Sequence, residues 1–70
     1  MTAREWIDAY AAALGRPAPD EARVEAVLRL AAEAAHASER VAAPVACWLA
    51  AEAGLAPEEA LARAGGLARP

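Results

Sequence analysis

Seventy residues fit one domain, spanning 1–70, and a chain this short buries only about 60% of its unfolded surface. Alanine supplies 24 of the 41 apolar residues, and only 16 are large (Val, Ile, Leu, Met, Trp, Tyr), so the core is small in area. The net charge of −3, with seven scattered Arg, argues against a nucleic-acid face, and one Cys with one His rules out an internal disulfide and a four-ligand Cys/His metal centre.

The first helix is predicted over about 3–14. Thr2 and Glu5 have capping-box spacing, in which each side chain satisfies the other's free backbone N–H. Trp6, Ile7, Tyr10 and Leu14 fall on one face, with Arg4, Glu5 and Asp8 on the other. Gly15 is the natural left-handed stop, and Pro17 and Pro19 stiffen the linker that follows. The second helix is expected over about 20–38, capped by Asp20 or Ala18. Its apolar face carries Val24, Val27, Leu28 and Ala31, opposite Glu21, Glu25, Arg29 and Glu33.

Pro44 biases Ala43 away from helical backbone, which predicts a break near 40–43 and a third helix over about 44–53. Glu52 is its only charged residue. A helix apolar all round is a buried one, which places it at the centre of a bundle or in an interface. Gly54 and Leu55 have the spacing of a Schellman stop. Pro57 opens a fourth helix over about 57–64, and a frayed tail is expected from about residue 66. The whole reads as a compact all-α bundle of four short helices, with the third most buried.

The chain's chemistry-bearing residues concentrate between 36 and 49. His36 reads as a solvated surface side chain if the second helix continues unbroken. A fold-back at the break would instead bring His36, Ser38 and Arg40 to the start of the third helix, where free N–H groups hold a phosphate or carboxylate. Ser38 otherwise bonds back to the Ala34 carbonyl. Cys47, Trp6 and Trp48 read as core. Glu52 lies beside Val45, Trp48 and Leu49. It must pair, with Arg40 or Arg4 as partners, or face water. If those three apolar side chains are exposed, they mark an interface. Gly65-Gly66 lacks the strand and helix that a phosphate loop requires. No catalytic constellation, cofactor site or metal site emerges, and an enzyme is not expected.

Two segments carry a resemblance: Trp6-Ile7-Asp8-Ala9-Tyr10 with Leu14-Gly15, and Ala35-His36-Ala37-Ser38-Glu39-Arg40 followed by Ala43-Pro44-Val45 and Leu49. Together they resemble a small bacterial helical domain of unknown function, common in actinobacteria. It occurs alone or attached to the C-terminal side of molybdenum cofactor guanylyltransferases. The resemblance runs over about residues 3–53 and matches His36, Glu39, Arg40 and Pro44. The guanylyltransferase chemistry belongs to an attached nucleotidyltransferase domain with a glycine-rich loop. This chain has neither, so no catalytic residue is implied here. The resemblance implies an accessory or docking module near molybdenum cofactor maturation.

The leading expectation is therefore a non-enzymatic interaction module, with an anion or nucleotide-phosphate binder at 36–44 and a structural homodimer as alternatives. An Ala-rich core this small calls for a second copy or a protein partner as support. No run of 18 apolar residues lacks charges, so no membrane span is expected. Met1–Trp6 lacks the basic and apolar regions of a signal peptide, so a cytoplasmic protein is expected.

Overall fold

The structure, a computed structural model, describes residues 1–67. Four helices follow in chain order: α1 (Ala3–Ala13), α2 (Glu21–Ala37), α3 (Ala42–Glu52) and α4 (Pro57–Gly65). The described residues contain no strand. The all-α class and the four-helix count match the sequence reading.

Local chemistry sets most of the boundaries. The Thr2 hydroxyl accepts from the Glu5 N–H at 3.1 Å while the Thr2 N–H donates to the Glu5 carboxylate at 2.7 Å, closing the capping box of α1. Asp20, not Ala18, caps α2 by accepting from the Arg23 N–H at 2.8 Å. Both α1 and α3 end in full Schellman motifs. At the first, Arg16 N–H donates to the Ala11 carbonyl at 2.9 Å and Gly15 to Ala12 at 3.0 Å. At the second, Leu55 donates to Ala50 and Gly54 to Ala51, both at 3.0 Å. Gly15 (φ 69°) and Gly54 (φ 73°) supply the left-handed residue that each motif requires.

The second break falls earlier than Pro44 suggests. α2 ends at Ser38, whose backbone leaves the helix at φ −144°, ψ −99°. The chain then turns through Ala42 N–H to the Glu39 carbonyl (3.0 Å) and Ala43 N–H to Arg40 (3.1 Å). These turns wind it into α3 two residues before Pro44, so Ala43 is helical. Pro44 is tolerated because it falls in the first turn, where N–H groups have no intrahelical acceptor.

The core sits along α2, which packs against both α3 and α4. Its buried residues are Ala26 and Leu30 of α2 and Ala60 of α4, with Ala11 buried separately on α1. Leu30, 4% exposed, is the one large side chain among them. α3 is not the buried centre. None of its residues is buried. It turns Ala42, Ala43, Ala46, Cys47 and Ala50 inward, and Val45, Trp48 and Leu49 outward. Small inward side chains let two helices approach closely, and the large ones are left on the far side. Trp48 (62% exposed) and Trp6 (55%) are therefore surface residues, not core.

α1 stands apart from this unit and packs on neither α3 nor α4. Its start is fastened beside the start of α2. The Arg4 guanidinium donates to the Pro19 carbonyl, and Arg4 and Ile7 share a shallow cleft with Glu21 and Val24. The long dimension of the chain reaches 40 Å against 24 and 18 Å for the others. Gly66 and Leu67 still bond back to α4. The rest of the expected frayed tail, residues 68–70, lies outside the described residues.

Candidate functional site

The three residues of the anion reading lie on three successive pieces of backbone. His36 is in the last turn of α2, Ser38 is its C-cap, and Arg40 is in the turn before α3. All three are exposed. The Ser38 hydroxyl donates to the Ala34 carbonyl at 2.8 Å, the back-bond expected of a serine at a helix end. The N–H groups of Ala42 and Ala43 are engaged in the turn, and Pro44 has none. The start of α3 therefore directs no side-chain cap and few free donors at an incoming anion. His36 instead stands at the negative end of α2, where a positive charge is favourable.

The outer face of α3 gathers the other predicted residues. Val45 (52% exposed), Trp48 and Leu49 (55%) sit on one surface of the helix, and Val41 extends it by one turn. Glu52 is exposed at the far end of this face. It takes neither Arg4 nor Arg40 as partner. Arg4 meets Asp8 at 3.0 Å, so the water-facing alternative holds. Beyond Leu49 the apolar surface dips into an open groove of about 320 Å³ between α3 and α4, lined by Ala46, Ala50, Leu55, Ala64 and Leu67 among others. Side chains this large, contiguous and uncharged are costly to leave in water, and such patches mark contact surfaces.

Cys47 lies on the inward side of α3 and is half-buried. Its thiol points a weak hydrogen bond at the Val27 carbonyl, 3.8 Å away. Desolvation by burial raises its pKa above the usual 9.0, so the reactive thiolate is disfavoured. Among the described residues no three His, Cys, Asp or Glu side chains gather to hold a metal ion, and no helix is long and apolar enough to cross a membrane.

The sequence places Trp6, Tyr10 and Leu14 on one face of α1, and the structure leaves that face exposed. Trp6 and Tyr10 stack with ring centroids 4.9 Å apart, and Leu14 follows on the same side, all exposed. α2 has one apolar stripe, and α3 and α4 both pack on it.

Capped helices, an Ala-lined core and an uncovered apolar face define a small all-α domain. The chain belongs to the family described as Domain of unknown function (DUF6457), whose model matches residues 1–70. No curated protein and no solved structure matches it.

Proposed function

We infer that this chain is a non-enzymatic interaction module that docks through the outer face of α3. The observation that carries the reading is the exposure of Val45, Trp48 and Leu49 together on the one helix whose only charge is Glu52. Aromatic and aliphatic anchors ringed by polar residues are the usual centre of a protein–protein contact. The resemblance of Ala35–Arg40 and Ala43–Val45 to modules attached to molybdenum cofactor guanylyltransferases supports a place beside that enzyme, in cytoplasmic cofactor maturation. In this role the enzyme keeps its own nucleotide chemistry and this chain supplies a docking surface.

The test is an equilibrium titration of the purified chain against a purified molybdenum cofactor guanylyltransferase. Saturable binding is expected, weakened about tenfold or more by Trp48→Glu, which corresponds to about 1.4 kcal/mol. Trp48 is mostly exposed, so this variant keeps the fold. Absence of saturation at about 100 µM, a bound near −5.5 kcal/mol, counts against the molybdenum placement. A thermal-shift screen of phosphate-bearing ligands separates the anion reading. There, a rise in Tm abolished by Arg40→Ala would move the site to residues 36–44.

A further inference from the structure

Two apolar surfaces stand uncovered on one small chain. On α1, Trp6, Tyr10 and Leu14 form a ridge at four-residue spacing. On α3, Val41, Val45 and Leu49 form another at the same spacing. Each ridge spans nine residues, or about 12 Å of helix. The exposed area is also too large for a finished monomer. A compact protein of 7.2 kDa exposes about 4,100 Å², whereas this chain exposes 5374 Å². The excess, about 1,300 Å², exceeds the roughly 800 Å² per partner that a stable interface buries. The radius of gyration is 12.8 Å, against about 11 Å for a compact chain of this length.

We propose that the chain forms a reciprocal homodimer in which the α1 ridge of each copy packs on the α3 face of the other. This rests on the reading of α3 as a docking face and names its occupant in the free protein. Two ridges of i, i+4 side chains interdigitate in the commonest helix-packing class, crossing at about −50°. The groove beside Leu49, floored by Ala46 and Ala50, gives large α1 side chains room to enter. The pairing is two-fold and uses both uncovered surfaces of each copy, so it closes without an open end. A different protein that docks on α3 competes with the second copy, and its apparent affinity falls with the fraction of faces already covered.

Light scattering on the purified chain at about 100 µM tests the proposal, since dimer mass depends on protomer concentration. The expected mass is twice 7.2 kDa. Tyr10→Glu and Val45→Glu, each at the middle of a ridge, are expected to give monomers with unchanged far-UV circular dichroism. Mixing them re-forms a dimer, because one intact α1–α3 contact survives in the mixed pair. A monomeric wild-type chain overturns the proposal without recourse to any variant. Retention of the dimer by Tyr10→Glu also overturns it, and points to α3 packing on α3. A mixture that stays monomeric overturns the reciprocal pairing. The guanylyltransferase titration uses a second protein, so either result can fail alone.

Discussion

α2 and α3 contribute to the core in the reverse order of their compositions. α2 carries Glu21, Arg23, Glu25, Arg29 and Glu33, yet it holds Ala26 and Leu30, the centre of the packed unit. α3 carries one charge, yet none of its residues is fully buried. The difference lies in where the large side chains fall. α2 spaces Val24, Val27, Leu30 and Ala31 on the side that meets two other helices. α3 meets α2 with alanines, and its bulk faces outward. Burial therefore follows the match between a face and its neighbour, and mean apolarity alone does not decide it.

The largest expected effect sharpens this contrast. Leu30→Ala removes the one large side chain buried in the core, and losses of about 2–5 kcal/mol are typical of such truncations. That is a large share of what a 70-residue domain has to spare. Trp48→Ala removes a larger side chain from α3 and should cost the monomer within about 0.5 kcal/mol. Urea unfolding of both variants, followed by circular dichroism at a concentration where the chain is monomeric, compares them directly. Equal losses would mean that α3 is buried after all.

A second, smaller effect separates α1 from the rest. Asp20 and Thr2 make the same kind of cap, and each replaced by Ala forfeits about 1 kcal/mol of local helix stability. α2 is held in the packed unit, so Asp20→Ala should lower global stability by that amount. α1 packs on neither α3 nor α4, so it is expected to open on its own and Thr2→Ala to act mainly on α1. Amide hydrogen exchange reads the two apart. Faster exchange confined to residues 3–13 is expected for Thr2→Ala, and faster exchange across α2, α3 and α4 for Asp20→Ala. Faster exchange across all four helices in both variants would show that α1 is integral to the core.

The parts legible in the sequence were those set by neighbours along the chain. Caps at Thr2 and Asp20, stops at Gly15 and Gly54, and the Ser38 back-bond are all decided within five residues. The start of α3 was misplaced because the Pro44 effect on Ala43 is a weak local bias, and two turn hydrogen bonds outweigh it. The burial of α3, Trp6 and Trp48 was misjudged for a different reason. Periodicity says which residues share a face, and does not say whether that face finds its partner within the chain. The group Val45, Trp48, Leu49 and Glu52 was legible as a unit because helical spacing fixes it, whichever way the face turns.

The smallest effect tests the inward side of α3. Cys47 ionises near 9.0 in an unfolded chain and higher in the folded one, because burial disfavours the thiolate. The sign follows from proton linkage. Below about 9 the thiol is protonated in both states and its burial costs no charge. As pH rises past that value the unfolded chain sheds the proton first, so stability falls, and the fall ends once the folded thiol also ionises. A small loss of stability is expected as pH rises past about 9, and Cys47→Ser should shrink it. Thiol labelling in native buffer gives the second readout: Cys47 should react more slowly than an unfolded thiol at the same pH, and urea should abolish the difference. A Cys47 that labels as fast folded as unfolded would place this side of α3 in water, and the division between an inward alanine face and an outward apolar one would have to be redrawn.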